Sequence, residues 1–449
     1  MSAESPAAKL GSRERRDGWR LPARLVIYNL VLLVASPLVA AWLLWRGLAR
    51  GRSMGSWRHR LGFVPRLGPG RPRVWLHAVS AGEVAAARPV LAALRSGFPQ
   101  AQIALSTVTA AGMAMAERTC RAANAFFYLP LDGPACMGRA LLRVRPDLLV
   151  ITEKELWPNL LGLSRLLGVR VLVVNGRVSD RMLRRARWAG PFVRWLYRLP
   201  DLLCVQSEED ARRLARLGGD PGQICVAGNT KVDNMAERDW QAEAGLARDL
   251  CVGPDEQWLV AGSTHPGEDE AVLAAFDRIR AEAPCARLLL APRHLQRVPA
   301  VSALVAQRGF PVMRRSEPAP RPPEAVVVLD TMGELQAAYG VAAAGFVGGT
   351  LVPVGGHNLL EPVAAGRPVL FGRHTENCAD MAELVLQAGV GFQVADSGEL
   401  AERFLRITRD PQLREAVAER GVRLIQRQRG ASQRCAAAAR GLLGPKEDR

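Results

Sequence analysis

Short apolar runs alternate with helical patterns along most of this 449-residue chain. Five runs in the first half have the length and composition of buried strands: Val74–His77, Ile103–Ser106, Leu148–Ile151, Val171–Asn175 and Leu202–Val205. Helical patterns separate them, near residues 83–95, 110–120, 156–167, 179–197 and 207–217. Because consecutive parallel strands need a crossover between them, this alternation predicts a parallel sheet with helices on both faces.

The alternation is interrupted once by a polar stretch and then starts again. The second series of predicted strands is Trp258–Ala261, Leu288–Ala291, Val326–Leu329, Gly345–Val347 and Val369–Phe371. A chain of this length is too long for one hydrophobic core. We therefore expect two Rossmann-like α/β domains facing a cleft, residues 73–232 and 256–430, joined by an interdomain linker at 233–255. Residues 411–442 have a helical pattern, and 431–449 are expected to be a helix end and tail.

An almost wholly apolar segment, residues 25–45, precedes the first domain. It is long enough to cross about 30 Å of hydrocarbon at about 1.5 Å per residue. Its few interruptions are Tyr28, Asn29, Ser36 and Pro37. Tryptophans flank or edge it, as they do at membrane interfaces: Trp19, Trp42, Trp45 and Trp57. Arginines rather than a cleavage site follow it, so a cleaved signal peptide is not expected. We expect a membrane anchor between a basic tail (1–24) and a juxtamembrane linker (46–72). A re-entrant or interfacial helix, or a buried core helix, is the alternative.

Charge and cysteine usage narrow the possible partners. The formal net charge is +17, which favours nucleic acid, acidic lipid or a phosphorylated substrate. Aromatic residues make up only 6% and are not interleaved with basic ones, so a nucleic-acid partner is not expected. No pair of the eight cysteines has C-x-x-C spacing, which argues against a zinc site or a disulfide framework and fits a reducing cytoplasm.

Ionisable side chains follow several predicted strands of the first domain. Ser80, Gly82 and Glu83 come after the first strand, at the sheet edge where ligands bind. Glu83 is placed to act as a general base, or it is a helix-start glutamate favoured only by the helix dipole. Glu153 and Glu155 follow another strand and could hold a sugar or a developing charge, or form a solvated helix start.

Basic residues of the first domain have two interpretations as well. Lys231, in Gly228-Asn229-Thr230-Lys231, could meet a substrate carboxylate or phosphate, although a lone lysine is usually solvated. A basic run accompanies Trp188 and could receive an anionic lipid acceptor or rest on a leaflet. A solvated helix face explains the run equally well. Its members are Arg177, Arg181, Arg184, Arg185 and Arg187.

Successive loops of the second domain carry residues suited to a nucleotide. Arg293 in Pro292-Arg293-His294 can bind a phosphate or carboxylate through two nitrogens. Met332, Gly333 and Glu334 open a helix whose N–H groups suit an anion. The glycine-rich stretch Gly348-Gly349-Thr350 allows close backbone approach, and Asn358 and Glu361, three apart around Leu359 and Leu360, can grip a ribose. His357 gains no predicted chemical role.

Several common sites are missing from the sequence. There is no G-x-x-x-x-G-K-[ST] run, no H-E-x-x-H and no Asp-x-Asp pair. His357 and Glu361 alone are too few to bind a metal. We therefore expect neither a metal nor a cofactor.

Taken in order, the motifs resemble those of the 3-deoxy-D-manno-octulosonic acid (Kdo) transferases of Gram-negative lipopolysaccharide synthesis. The resemblance runs from about residue 25 to 430. It rests on the apolar segment, Ser-x-Gly-Glu, Glu-x-Glu-Leu-Trp-Pro-Asn, Gly-Asn-x-Lys, Gly-Ser-Thr-His at 262–265, Pro-Arg-His, Met-Gly-Glu and Gly-Gly-His-Asn-x-x-Glu-Pro.

The resemblance implies a GT-B glycosyltransferase that moves Kdo from CMP-Kdo to a lipid A precursor on the cytoplasmic face of the bacterial inner membrane. Glu83 matches the family's catalytic base, and Glu153 and Lys231 match positions that support the transition state. The second-domain motifs match CMP-binding loops: Pro292-Arg293, Met332-Gly333-Glu334 and Asn358 to Glu361.

Two segments depart from the family pattern. Lys154 stands between Glu153 and Glu155 where the family usually has threonine, and Arg373–Asn377 is more charged than usual. Two alternatives stay open at this point. One is a GT-B transferase that uses a UDP-sugar on a lipid acceptor, and the other is a membrane-anchored nucleotide- or phospholipid-binding module without catalysis.

Overall fold

The computed structural model describes residues 23–50, 56–153, 155–178, 182–183, 190–235, 238–317, 321–322 and 324–444, and for residues 37–50 it describes the backbone alone. The chain forms two compact units. The first unit comprises the chain up to Asn234 together with the chain from Gln428 onward, and the second unit is Met235–Arg427.

The first unit is built on seven parallel strands with helices between them. The strands are β1 (Arg73–His77), β2 (Gln102–Thr107), β3 (Ala125–Tyr128), β4 (Leu148–Thr152), β5 (Arg170–Gly176), β6 (Leu202–Val205) and β7 (Ile224–Val226). The helices are α1 (Ala23–Arg50), α2 (Trp57–Arg60), α3 (Ala81–Gly97), α4 (Ala110–Thr119), α5 (Pro134–Val144), α6 (Pro158–Leu166), α7 (Gly190–Tyr197) and α8 (Glu208–Arg216).

Alternate strand residues of the first unit fill two apolar layers. Val74 and Leu76 of β1 pack on one face against α3 and the C-terminal helix. Trp75 points to the other face, where its ring meets Phe127 edge to face at 5.2 Å. Its indole N–H donates to Ser106 Oγ at 2.8 Å, which satisfies the polar atom of a fully buried side chain.

The second unit repeats the plan with its own seven-stranded parallel sheet. Its strands are β8 (Gln257–Thr264), β9 (Ala286–Pro292), β10 (Val312–Arg314), β11 (Val326–Val328), β12 (Ala344–Val347), β13 (Val369–Phe371) and β14 (Gly391–Gln393). Its helices are α9 (Trp240–Asp249), α10 (Glu268–Glu282), α11 (Val298–Gln307), α12 (Leu335–Val341), α13 (Leu360–Ala364), α14 (Ala379–Gln387), α15 (Ser397–Arg409) and α16 (Pro411–Gln428). Phe276, Phe346 and Phe404 form the centre of its core.

Strand order places a ligand crevice in each sheet. The orders are β3-β2-β1-β4-β5-β6-β7 and β10-β11-β9-β8-β12-β13-β14. The chain winds outward in opposite directions from β1 and β4, and likewise from β8 and β12. Open α/β sheets bind ligands beyond the carboxyl ends of the strands at such a switch point. The loops after these four strands are therefore the places to look for chemistry.

The predicted parallel α/β architecture is confirmed, and all ten predicted strands overlap observed ones. Two expectations about the ends of the domains differ from the structure. The stretch 233–255, taken as a linker, contains α9, which packs on α12 inside the second unit. The helical pattern at 411–442 is two helices, α16 and α17 (Ala431–Leu443), because Gly430 between them adopts φ +77°. Helix α17 packs on α3 in the first unit.

Helix α1 is docked on the first unit through residues that interrupt its apolar pattern. Tyr28 Oη donates to Asp132 Oδ2 at 3.1 Å, and the amides of Asn29 and Asn159 exchange hydrogen bonds of 3.0 and 2.7 Å. Leu25 is fully buried against Gly162, where a Cβ would come within 2.7 Å of Leu25 Cδ2. Asn159 of the Glu-x-Glu-Leu-Trp-Pro-Asn run therefore holds this helix.

The outward face of α1 is apolar. Its exposed large apolar side chains are Val26, Ile27, Leu30, Val31, Leu33 and Val34. Within the described part of the chain, no helix combines enough length with enough apolar character to cross a membrane. A spanning anchor at residues 25–45 is therefore not shown.

Candidate active site

Glu83 lies in the first turn of α3, directly after the β1 loop. Its Oε2 accepts a hydrogen bond from the Val79 N–H at 2.7 Å, and the residue is only 8% exposed. The loop thus fixes the direction of the carboxylate, as a proton-transferring group requires. Ser80 caps the helix with extended backbone and without a side-chain bond, and Gly82 is exposed beside it.

Glu153 and Lys231 form an ion pair at the same edge of the sheet. Lys231 Nζ lies 3.2 Å from Glu153 Oε1, and the two side chains are only 15% and 17% exposed. Glu153 adopts φ +64°, a conformation that a residue with a Cβ adopts at a cost of about 1 kcal/mol or more.

Asn175 holds this pair in place and was not predicted from the sequence. Its Nδ2 donates to Glu153 Oε1 at 3.4 Å, and its Oδ1 accepts from the Thr230 N–H at 3.0 Å. It too has a positive φ, of 56°, which asparagine tolerates better than most residues. Asn-Gly at the end of a predicted strand is the sequence signal that could have revealed it.

The switch point of the first sheet therefore has a glutamate on each side. Glu83 follows β1 and Glu153 follows β4, two neighbouring parallel strands. The first-unit residues predicted to carry charge at strand ends are brought to one edge of one sheet.

The remaining predicted residues of the first unit are less connected to this edge. Glu155 is half-buried. Arg177 lies near Asp210, whose pKa is raised by burial, while hydrogen bonds and the charge of Arg177 act to lower it. Four of the five basic-run residues lie outside the described residues, namely Arg181, Arg184, Arg185 and Arg187. Lys154, one of the departures from the family pattern, lies outside them as well.

The Asn358–Glu361 pair predicted to grip a ribose forms in the second unit. Asn358 Nδ2 donates to Glu361 Oε1 at 3.2 Å, and Asn358 Oδ1 accepts from the Leu360 N–H at 3.2 Å. Burial raises the pKa of Glu361, while Asn358 and Arg293 act to lower it. Leu359 and Leu360, predicted as CMP-binding, are 0% and 1% exposed, so their side chains belong to the core.

The Gly348-Gly349-Thr350 stretch, predicted to let a nucleotide approach its backbone, instead bonds a side chain of the protein. A buried carboxylate, Glu268, accepts from the N–H groups of Gly349 at 2.6 Å and of Thr350 and Leu351 at 2.9 Å each. These donors are therefore bonded within the protein instead of facing a phosphate. Gly348 is required for packing, since a Cβ there would collide with the backbone of Ser263.

The loops after β9 and β11 keep exposed groups at the same edge. Arg293 is exposed, whereas Pro292 is buried at the end of β9. Met332 is 80% exposed, and Gly333 has φ +91°. Glu334 pairs with Arg315 at 3.1 Å and accepts from the Thr331 hydroxyl, so its carboxylate already has two partners.

A histidine pair, also missed in the sequence, lies at the switch point of the second sheet. His265 Nε2 and His357 Nε2 are 2.8 Å apart, and the rings are within 6° of parallel. Burial lowers the pKa of His357 to about 4, with Arg293 and the neighbouring histidines adding to the effect. Among the described residues, no three His, Cys, Asp or Glu side chains are grouped to hold a metal ion.

Sequence comparison decides the family. Residues 55–234 match the profile of the family described as 3-deoxy-D-manno-octulosonic-acid transferase (kdotransferase). The 3-deoxy-D-manno-octulosonic acid transferase of Haemophilus influenzae is 31% identical over 410 residues, which cover 91% of this chain and 96% of that protein. The enzyme of the same name from Bordetella pertussis is 33% identical over 438 residues, 93% of this chain and 99% of that one.

The chain belongs to the Kdo transferase family. It is therefore a glycosyltransferase, which excludes a binding module without catalysis. The UDP-GlcNAc 2-epimerase of Neisseria meningitidis, solved with UDP-GlcNAc, superposes with a TM-score of 0.53 at 12% identity, covering 82% of this chain and 99% of that one. That likeness concerns the fold alone and agrees with the GT-B class.

Proposed function

We propose that this Kdo transferase moves Kdo from CMP-Kdo to a hydroxyl of a lipid A precursor, with Glu83 as the general base. The observation that carries the proposal is the pair of glutamates beside the β1–β4 switch point, with Glu83 held by the Val79 N–H and Glu153 by Lys231. The family supplies the identity of the transferred sugar.

The proposed reaction is a single inverting displacement. The acceptor hydroxyl gives its proton to Glu83 as its oxygen forms a bond to the anomeric carbon of Kdo. The bond from that carbon to the phosphate oxygen breaks, and CMP leaves with the electron pair. A general base of this kind accounts for about 10²- to 10⁴-fold in rate.

Lys231 and Glu153 are proposed to support the transition state. The ion pair keeps a cation at the sheet edge without net charge in the free protein. When an anionic group of the donor arrives, Lys231 can also bond that group, and Asn175 keeps Glu153 from following it. The lysine can thus balance the Kdo carboxylate or the charge that develops on CMP.

Donor binding is proposed for the exposed groups of the second unit. Arg293 suits the phosphate, because its guanidinium can make two parallel hydrogen bonds. Asn358 and Glu361 can exchange their mutual hydrogen bond for bonds to ribose hydroxyls. Met332 and Gly333 offer an exposed side chain and an uncrowded backbone for the nucleotide.

A lipid acceptor and association with the cytoplasmic face of the inner membrane are proposed from the first unit. The outward face of α1 presents Ile27, Leu30, Val31 and Val34 to solvent. The net charge of +17 would attract this surface to anionic lipid headgroups. An apolar helix face combined with basic charge is the pattern of proteins that lie on a membrane.

The test is to incubate purified protein with CMP-Kdo and a lipid A precursor and to weigh the product. We expect a mass increase by whole Kdo units and release of CMP. CMP should inhibit the reaction and UDP should not. Transfer from a UDP-sugar, with inhibition by UDP, would instead favour the alternative donor.

A further inference from the structure

The loops on the two sides of the β8–β12 switch point are joined by two histidines. His265 is the first residue after β8, and His357 ends the glycine-rich segment after β12. Their Nε2 atoms are 2.8 Å apart, with ring centroids 5.1 Å apart. Open α/β sheets bind ligands at this point, so the pair stands where a nucleotide phosphate would lie.

A hydrogen bond between two Nε2 atoms restricts where the protons can be. One Nε2 must carry a proton and the other must not, so a neutral pair has opposite tautomers, and one Nδ1 is a donor while the other is an acceptor. One additional proton keeps the bond intact and makes both Nδ1 atoms donors. The pair then has one positive charge and two Nδ1–H groups besides the shared Nε2–H, while a second additional proton would break the bond.

The surroundings keep the free pair neutral. Burial lowers the pKa of both histidines, and the charges of Arg293 and His294 lower both pKa values further. Arg297 also lowers the pKa of His265, while Glu268 acts on it in the opposite direction. Glu268 is buried and accepts four backbone N–H groups, including that of His265.

The nearby arginines differ in their partners. Arg297 is paired with buried Asp269. Arg293 has no ion pair among the described residues. An anion can therefore bind beside Arg293 and the two histidines. Its negative charge would raise the pKa values that burial and the arginines lower.

We propose that His265 and His357 form a phosphate-binding pair that takes up one proton when the phosphate of the nucleotide binds. The identity of the nucleotide as CMP rests on the proposed function, whereas the phosphate chemistry rests on the pair itself. His357, in the family motif Gly-Gly-His-Asn, then binds the donor, and the Glu268-bonded loop holds it in position.

The sign of the linkage follows from charge. A bound phosphate favours the protonated pair and so raises its pKa above the free value, which for His357 is about 4. Phosphate affinity contributed by the pair therefore increases as the pH falls through the bound pKa, and it is complete below the free pKa. At higher pH the pair is neutral, and binding depends on Arg293.

The experiment measures proton uptake by calorimetry in two buffers of different ionisation enthalpy, near pH 6.5, on the full chain. The probes are CMP, inorganic phosphate and cytidine. The variants are His265→Gln and His357→Gln, since glutamine can hydrogen-bond but cannot take up a proton. His59→Gln is the matched control: a half-buried histidine of the first unit whose pKa is also lowered by burial and by neighbouring arginines.

We expect the wild type and His59→Gln to take up more protons with CMP than either paired variant does. CMP's own titration is common to all four proteins. The paired variants should bind CMP about tenfold more weakly, the effect of one charge-assisted hydrogen bond, and cytidine as well as the wild type does.

The inference is overturned if the paired variants keep wild-type proton uptake, or if they lose affinity for cytidine as much as for CMP, which would indicate only a collapsed loop. Failure of the proposed donor gives a different result. Inorganic phosphate would then bind with proton uptake while CMP gave no heat of binding. That result would keep the phosphate-binding histidine pair and reject CMP as its ligand. If the wild type bound CMP without proton uptake, the proposed donor would be retained and the proposed role of the histidine pair would be rejected.

Discussion

Replacing Glu268 with glutamine should release the loop that carries His357. Each carboxylate oxygen of Glu268 accepts two backbone N–H groups: Oε2 those of His265 and Gly349, and Oε1 those of Thr350 and Leu351. A glutamine keeps one such oxygen, and its NH₂ faces the other two donors. Two N–H groups that each lose an acceptor, at about 1–3 kcal/mol each, give about 2–6 kcal/mol.

The assay is amide hydrogen exchange in the peptide that spans residues 345–356. A loss of about 2 kcal/mol corresponds to exchange about 30-fold faster, and larger losses to correspondingly higher rates. Glu270→Gln is the matched control, because Glu270 lies in the same helical turn but, among the described residues, accepts only the exposed Gly267 N–H, at 2.9 Å. We expect its exchange to stay within about threefold of wild type.

Exchange of these amides at the wild-type rate in Glu268→Gln would contradict this prediction. That result would mean that the buried carboxylate is not what holds the glycine-rich loop. A loss of stability spread evenly over the second unit, without faster exchange at Gly349 to Leu351, would also contradict it.

Three further perturbations test separate parts of the structure. Lys231→Met should lower kcat and destabilise the protein by about 1–3 kcal/mol, because Glu153 stays largely buried without its cation; adding Glu153→Gln should restore urea stability but not activity. Burial raises the pKa of Asp132 to about 6, so its protonated form is favoured by folding, and stability should fall as the pH rises from about 4 through about 6; pH-dependent urea titrations of Asp132→Asn should lose this slope, and an unchanged slope would assign it elsewhere. Asn29→Leu should free α1 from Asn159 and speed proteolysis after residue 23, whereas Ile27→Ala, on the exposed face, should not; equal cleavage of both would contradict the docking.

The sequence predicted the parts of the protein that depend on local pattern. All ten apolar runs are strands because buried parallel strands need continuous apolar residues, whatever their neighbours are. The short strands β3, β7, β10 and β14 were missed because each is only three or four residues long and lies toward an edge of its sheet. Helix α9 was taken for linker because its polar surface resembles one, and only its packing on α12 reveals it.

The candidate site was predictable where a residue acts at the end of its own strand. Glu83, Glu153, Lys231 and Arg293 belong to this class. Residues that act on another segment could not be found: Glu268 bonds a loop about 80 positions away, and His265 meets His357 across 92 positions. Asn159 lies inside a motif that carries the family resemblance, and its side chain holds α1.

The central proposal is that Glu83 takes the proton of the acceptor hydroxyl. Its most direct test is the rate of Kdo transfer from CMP-Kdo to a lipid A precursor by Glu83→Gln, compared with Glu117→Gln, an exposed glutamate on α4 of the same unit. We expect Glu83→Gln to be about 10²- to 10⁴-fold slower, with CMP binding unchanged and Glu117→Gln as fast as the wild type. Near-normal transfer by Glu83→Gln would contradict the claim.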